Sequence, residues 1–345
     1  VGASISIRRT ATVGVTLTLA AALLAACGDS NSDATASGGS SNGKVAAVIK
    51  GLDNPFFQSM EKGINDQATT SGTSTTVQAA TAITDTTGQA DKLTALAGQN
   101  FSCFVVNPIS GTNLVQGLAK VAAAKKTIVN IDSPIDAAAA KAAGATIATY
   151  IGTNNEAAGE TAAAEMIKLV STGKVAAIGG VAGDVTSGAR ITGFTTGIGS
   201  TLTLTQTVAA NWNRQEALTA ATTILQSTPD LKGFFVANDD MGLGVVRAVA
   251  NAKKTGQVRV ISVDGISDAL TSIKDGGLDA TVAQYPYTIG QMGVEACQAV
   301  AAGKTLPANV DAPVELVTKA EADKALAATP KPFGTFDDPI AALLK

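Results

Sequence analysis

The sequence predicts an α/β protein of two doubly wound, Rossmann-like domains, each built on a parallel sheet. Three observations carry that expectation. Short β-branched runs alternate with longer Ala-rich stretches of helical period, which is the pattern of strand, crossover helix and next parallel strand. The runs number ten, too many for one compact sheet in a chain of 345 residues, so two sheets fit better. Hydrogen-bonding side chains recur directly after the runs, at the carboxyl edge where open α/β sheets take their ligands.

Taken in order, the expected strands are Val45–Ile49, Thr75–Ala79, Cys103–Val106, Thr127–Ile131 and Thr146–Ile151, then Lys174–Ile178, Thr203–Val208, Gly233–Ala237, Arg259–Val263 and Thr281–Ala283. Each is short and rich in residues that suit a pleated surface. Helical period places helices at Pro55–Ala68, Gly88–Leu96, Asn113–Lys125, Asn155–Val170, Gln215–Gln226, Gly242–Ala252 and Ser267–Lys274. Asn54-Pro55 reads as a helix N-cap followed by proline at the first helical position.

The beginning of the chain has a different character. Arg8 and Arg9 precede an apolar run from Val13 to Leu24 that is too short to span a bilayer, and small residues follow, as in an export signal over 1–26. Leu24, Ala25, Ala26, Cys27 and Gly28 together resemble a bacterial lipobox, which implies acylation of Cys27 and tethering at the outer face of the cytoplasmic membrane. Each buried methylene is worth about 0.8 kcal/mol, so several acyl chains hold where one does not. Residues 27–43 are almost entirely small and polar and are expected to form a flexible tether behind that anchor.

Composition excludes several functions. Behind the signal the chain carries 23 basic against 28 acidic residues, a net of −5 with no basic cluster, which argues against nucleic acid as a partner. The sequence has no histidine, so triads that use imidazole and His-containing zinc sites are ruled out. Of the three cysteines, Cys103 and Cys297 remain after lipidation, too few for a Cys-rich metal site. Outside the cytoplasm they can pair, or each can pack as a small buried hydrophobe; spacing alone does not decide. No phosphate-binding glycine motif is complete: Gly242-Leu243-Gly244 lacks its third glycine, and Lys304-Thr305 lacks a glycine at 298. No cofactor and no metal are expected, and no catalysis, although Asp132 and Asp264 are the pair a glycosidase would use.

The candidate binding residues stand at the strand ends. Asn54, Asn107, Asp132, Asn238, Asp264 and Gln284 each follow an expected strand, and none belongs to a metal or phosphate motif. Each alone also reads as a cap or turn residue. Together they describe a pocket that collects neutral hydroxyls. Phe57 falls on the apolar stripe with Met60, Ile64 and Ala68, whereas Phe56 lies about 100° away, near the ligand edge. Trp212, the single tryptophan, sits in a polar loop between Asn211 and Asn213, and flat rings cover the C–H faces of sugars.

Seven stretches in register then carry a resemblance: Asn54-Pro55-Phe56-Phe57, Val106-Asn107-Pro108, Ile131-Asp132, Arg190 with Gly193-Phe194, Ala237-Asn238-Asp239-Asp240-Met241, Val263-Asp264-Gly265 and Ala283-Gln284. In this order, from about Lys44 to Ala320, the chain resembles the type I periplasmic sugar-binding proteins that serve ABC importers. The resemblance implies two lobes joined by three crossings, here 44–152 with 285–316 and 153–284 with 317–345. A sugar or polyol would be trapped as they close. It implies Asn54, Phe56, Phe57, Asn107 and Asp132 on the first lobe's side, and Thr153, Arg190, Trp212, Asn238, Asp264 and Gln284 on the other side and the hinge. It further implies a monomer that meets the permease subunits of an importer. One departure stands out. Ribose- and galactose-binding members place an arginine directly after the first aspartate, and here that position is Ser133, so a fork of donors is replaced by a short hydroxyl. Replacing Asp264 or Arg190 by alanine is expected to abolish binding and to leave the empty protein nearly as stable.

Two other readings share parts of this pattern. A transcriptional repressor of the same fold would carry a DNA-reading helix pair where the lipobox and tether stand. A sensor lipoprotein would use the same binding cycle with a membrane receptor as partner. The tail, broken by Pro330, Pro332 and Gly334 before Ile340–Leu344, carries no functional expectation.

Overall fold

A computed structural model describes residues 43–345. The expected export signal, Cys27 and all but the last residue of the expected tether lie outside the described residues. The chain forms two α/β lobes, each on a six-stranded sheet. The first contains β1 (Val45–Ile49), β2 (Thr75–Ala79), β3 (Cys103–Val106), β4 (Thr127–Ile131) and β5 (Thr149–Gly152), with helices α1 (Pro55–Ser71), α2 (Thr86–Ala97), α3 (Val115–Ala123) and α4 (Ala137–Ala142) between them. The second contains β6 (Gly173–Gly179), β7 (Leu202–Ala209), β8 (Leu231–Val236), β9 (Arg259–Asp264) and β10 (Ala280–Gln284), with α5 (Asn155–Val170), α6 (Val185–Ile198), α7 (Arg214–Ser227), α8 (Asp239–Asn251) and α9 (Ser267–Asp275). The chain then returns through α10 (Pro286–Ala301), β11 (Asn309–Asp311), β12 (Val314–Thr318) and α11 (Ala322–Ala328).

Strand order is β11-β5-β4-β3-β1-β2 in one sheet and β12-β10-β9-β8-β6-β7 in the other. Every pairing is parallel except β10 with β12. In each sheet the order reverses beside the first strand of the lobe, so a crevice opens at the carboxyl ends of β1 and β3, and of β6 and β8. The central strands are buried on both faces, as parallel strands covered by helices must be.

The differences from the sequence reading have physical causes. β11 and β12 are absent from the expected strands because each finds its partner only after the chain has crossed between the lobes and returned, β11 along β5 and β12 along β10. The strand expected at Thr146–Ile151 begins at Thr149 instead. Helix α6, with glycines at 188, 193 and 197 among β-branched residues, has weak intrinsic propensity. Packing holds it: Phe194 stacks on Phe235 of β8 with ring centroids 4.4 Å apart. Helix α10 is buried on 13 of its 16 residues, so it shows no amphipathic stripe.

The lobe boundaries also differ in detail. The third crossing lies between β11 and β12, so Val314–Thr318 pairs in the second sheet although the expected first lobe runs to 316. The tail does not stay with the second lobe. Phe333 packs on that lobe's core, but Phe336 and the fully buried Ile340 join the core beneath β1, β3 and α10. Residues 333–336 therefore make a fourth crossing. Glu315 secures its start, accepting from the Tyr285 hydroxyl and from the Phe333 amide. Asp338 secures its end by accepting from the amides of Ile340 and Ala341.

Beside Asp338, burial and then the neighbouring carboxylate push Glu295 of α10 up to about 8, so it faces its partner as a neutral acid that donates a proton. The folded state thus holds this proton more tightly than the unfolded chain. That contribution to stability is complete below the ordinary glutamate range and is lost as pH rises through about 8. Glu295→Gln keeps a donor that does not titrate. Thermal unfolding of both proteins from pH 5 to 9 is expected to show similar midpoints at pH 5 and a variant higher by roughly 4 °C at pH 9.

Cys103 and Cys297 form a disulfide between β3 and α10, closing a separation of 194 residues. It lies at the amino ends of the first-lobe strands, away from the crevice. Loop closure of this length is worth about 3–5 kcal/mol. Cys103→Ser with Cys297→Ser is expected to lower the denaturant midpoint accordingly and to leave ligand affinity within about twofold, read by urea titration and calorimetry.

Candidate functional site

Between the lobes lies a cavity of about 280 Å³ walled by strand-end residues of both sheets. From β1 and the turn into α1 come Lys50, Asn54, Phe56 and Phe57; from the end of β4 come Asp132 and Ser133; the second lobe supplies Arg190, Trp212, Asn238 and Asp264. Nine of the twelve residues singled out in the sequence share this wall.

Asn54 and Asn238 occupy equivalent places. Each uses its side-chain oxygen to cap a helix, accepting from the amide of Phe56 (2.9 Å) and of Met241 (3.0 Å). Capping and lining thus coincide, because the cap fixes the side chain while its amide nitrogen has no partner among the described residues. Phe56 and Phe57 pack edge to face, 5.1 Å between centroids, and both belong at once to the first lobe's core and to the cavity wall. Trp212 stands opposite, half-buried, with its ring against Gly180. A Cβ on Gly180 would come within 2.1 Å of that ring, so only glycine admits it.

The charged groups form two sets. On the second lobe, Arg190 is 4% exposed and donates from Nε to Asn155 (2.8 Å) and from Nη1 to the Ala237 carbonyl (2.7 Å). Nη1 also lies 3.4 Å from Asp264 Oδ1, which in addition accepts from Gln284 Nε2 at 2.7 Å. Burial raises the Asp264 carboxyl well above the usual range, Arg190 opposes that shift, and the nearby Asp239 and Asp132 reinforce it.

On the first lobe, Lys50 does what no residue singled out in the sequence does. Its ammonium donates to Ser133 Oγ at 2.6 Å, that hydroxyl donates to Asp132 Oδ2 at 3.2 Å, and the ammonium lies 3.9 Å from the same oxygen. It also sits 5.4 Å above the Phe57 ring. The cation missing after Asp132 is therefore supplied from the end of β1. The available signal was a lysine directly after a strand that is buried throughout, at the same edge as Asn54.

Three expected residues lie elsewhere. Asn107 is fully buried and points Nδ2 at Met60 Sδ, 3.4 Å away, behind the wall rather than in it. Thr153 is buried at the first crossing, its hydroxyl unpartnered among the described residues. Gln284 lines a smaller adjoining cavity with Pro55, Tyr285 and Pro330, and meets the main one only through its bond to Asp264. Farther out the main cavity is lined by Ile83, Ile109, Val181 and Val185, of which Val181 and Val185 are exposed apolar residues at the lip.

Both aspartates occupy left-handed backbone, Asp132 at φ 60° and Asp264 at φ 135°, as does Trp212 at φ 59°. Non-glycine residues seldom hold such angles, and they gather where function demands a side-chain direction. Comparison with known proteins agrees with this geometry. A family model described as periplasmic binding protein domain matches residues 45–305. The D-allose-binding periplasmic protein of Escherichia coli is 37% identical over 269 residues, covering 76% of this chain and 86% of its own length. This chain belongs to the type I periplasmic sugar-binding proteins of ABC transport.

Other members place it similarly. The ribose import binding protein of Bacillus subtilis is 32% identical over 311 residues, 89% of this chain and 98% of that one. A periplasmic solute-binding protein from Actinobacillus succinogenes, solved with bound D-allose, superposes with a TM-score of 0.78 at 26% identity, covering 81% of this chain and 99% of that one. The family binds its ligand and does not transform it, so the chain is an extracytoplasmic binding protein and not an enzyme.

Proposed function

We propose that the protein captures a single hexose in its pyranose form, or a polyol of similar size, and hands it to the permease of an ABC importer while a lipid on Cys27 holds it at the outer face of the cytoplasmic membrane. The observation that carries this reading is the opposition of two carboxylates, Asp132 and Asp264, each with its own cation, across a cavity flanked by Phe56, Phe57 and Trp212. Carboxylates accept two hydroxyl protons each, fixed cations orient them, and the rings cover the apolar faces of the sugar.

The cavity is at the small end of small-molecule sites, which favours one sugar residue over a chain. In place of an arginine after Asp132, Lys50 reaches in from β1 and orients that carboxylate through Ser133, so the first lobe keeps a cation at its strand-end aspartate. The likeness to the D-allose-binding relative supports the same class. Closure follows from contacts that exist only when both walls meet one ligand.

Trp212 is the only tryptophan and lines the cavity, so its fluorescence reports on binding. The soluble body, truncated before Lys44, is titrated with pentoses, hexoses including D-allose, sugar alcohols and furanoses, with calorimetry alongside. Saturation at micromolar concentration or tighter by one hexose or polyol is expected. Heat and fluorescence that stay flat across the whole panel would overturn the sugar reading. For the anchor, Cys27→Ser in the full chain is expected to move the protein from the membrane fraction to the soluble one.

A further inference from the structure

Asp239, the first residue of α8, is completely buried and absent from the cavity wall, yet its hydrogen bonds converge on the strand ends that carry Asp264. One carboxylate oxygen, Oδ2, accepts from the backbone amides of Gly265 (2.7 Å) and Ile266 (2.9 Å), the two residues directly after Asp264. The other, Oδ1, accepts from the hydroxyls of Ser262 (2.5 Å) and Thr281 (2.7 Å) on β9 and β10. Four donors converge on one side chain, and only an ionised carboxylate offers four acceptor sites and no donor.

The turn it holds would not persist unaided. Asp264 at φ 135° is followed by Gly265 at φ 79°, and a non-glycine residue in such a conformation costs about 1–3 kcal/mol unless its surroundings enforce it. With the next two amides released, the chain would relax toward ordinary extended backbone and carry the Asp264 carboxylate away from Arg190 and Gln284. The first lobe meets the same need with neutral groups. Around Asp132, Asn130 accepts from the Ile135 amide and donates to the Ser133 carbonyl, while the Tyr150 hydroxyl donates to the Asp132 carbonyl at 2.6 Å.

We propose that Asp239 is a positioning residue for ligand affinity: by pinning the amides of Gly265 and Ile266 it holds Asp264 in the strained backbone that aims its carboxylate into the cleft. This rests on the reading of the cleft as the sugar site. It assigns affinity to a side chain that touches no ligand, and it separates the two oxygens of one carboxylate, Oδ2 for the turn and Oδ1 for the sheet.

That separation supplies the test. Calorimetry with D-allose, or with the panel sugar that wild type binds most tightly, compares wild type, Asp239→Ala, Asp239→Asn and the double variant Ser262→Ala, Thr281→Val, with thermal unfolding of each empty protein alongside. Asp239→Ala is expected to weaken binding at least 30-fold. Asp239→Asn is expected within about threefold of wild type, because its oxygen can stay on the two amides while its NH2 faces hydroxyls that rotate to accept. The double variant removes the Oδ1 bonds and keeps the turn, so it is expected to lose thermal stability while its affinity stays within threefold. Wild-type affinity in a folded Asp239→Ala, or a loss beyond tenfold in the double variant, would overturn the proposal. If Asp239→Ala does not fold, the other two variants decide, since a double variant or an Asp239→Asn that binds tenfold worse is equally incompatible with it. A wild type that binds no sugar in the panel overturns the sugar reading instead, which keeps the two failures apart.

Discussion

Asp264→Ala is expected to abolish measurable sugar binding, a loss of about a thousandfold, and Arg190→Ala to do the same with a different effect on the empty protein. Asp264 offers its carboxylate from a site only 5% exposed, and a hydrogen bond to a charged group contributes about 1.5–3 kcal/mol. Two such bonds to ligand hydroxyls contribute about 3–6 kcal/mol, and about 4 kcal/mol is a factor of a thousand. The empty protein loses less from this change than from Arg190→Ala, because the guanidinium left behind keeps its bonds to Asn155 and the Ala237 carbonyl. Burial already pushes the Asp264 acid upward, so an ionised carboxylate there burdens the fold, and its removal offsets the acceptor lost by Gln284.

Arg190 is different, and the structure revises the expectation that either variant would be nearly as stable as wild type. Its guanidinium also holds Asn155 on α5 and the Ala237 carbonyl at the end of β8. Arg190→Ala leaves that carbonyl unpartnered and Asp264 without its cation, a change that costs about 3–5 kcal/mol in buried settings. Thermal unfolding separates the two: a small shift for Asp264→Ala and a large fall for Arg190→Ala, with no calorimetric heat from either. Normal binding by either variant would mean that the cleft is not the site. The raised Asp264 carboxyl adds a direction. As pH falls, Asp264 takes up its proton before an ordinary aspartate does, so affinity is expected to decline from a pH above the usual carboxylate range.

Lys50→Ala is expected to weaken binding about a hundredfold. The ammonium acts on Asp132 both directly, at 3.9 Å, and through the Ser133 hydroxyl. Without it the first lobe has no cation on its ligand carboxylate, and a desolvated carboxylate without a partner binds hydroxyls in a poorly fixed geometry. One charge-assisted contact of about 2–3 kcal/mol accounts for the factor. The stronger form of the test adds Ser133→Arg. In the Lys50→Ala background the guanidinium can take the place the ammonium left, and roughly tenfold of the affinity should return. In the wild-type background it brings a second cation into space already filled, and affinity should fall. Calorimetry on the four proteins closes the cycle. Binding by Lys50→Ala within threefold of wild type would remove Lys50 from the site.

How much of this was legible in the sequence depended on whether a residue's role was local. Asn54 and Asn238 were legible because an N-cap announces itself beside the helix it starts, and the cap places them in the cavity. Asp132, Asp264 and Trp212 were legible by position at strand ends and in a loop. Lys50 was not, because a lysine after a strand ordinarily reads as solvated, and its burial depends on Asp132 and Ser133, more than eighty residues away. Asp239 was quoted as part of a motif but had no visible role, since its four donors come from β9, β10 and the turn between β9 and α9. Asn107, Thr153 and Gln284 stand at strand ends but outside the wall of the main cavity. Their place in the order suits a binding wall, but the packing of Met60 beside Asn107, the first crossing around Thr153 and the interposed Asp264 keep them out of it. The tail was unreadable for the same reason: the partners of Phe336, Asp338 and Ile340 are fixed only when α10 is in place.

The bridge between Cys103 and Cys297 has a further consequence for the chain as a thread. Both ends of the second lobe leave from, and return to, a span closed by one covalent bond, so all of α5 to β10 hangs inside a ring. A protease that nicks any loop of that span, from α5 to β10, cannot separate the fragments. Limited proteolysis between Cys103 and Cys297 should therefore give a single band on a gel without reductant and two with it, and the nicked protein should keep its two lobes on one tether through any opening or closing of the cleft.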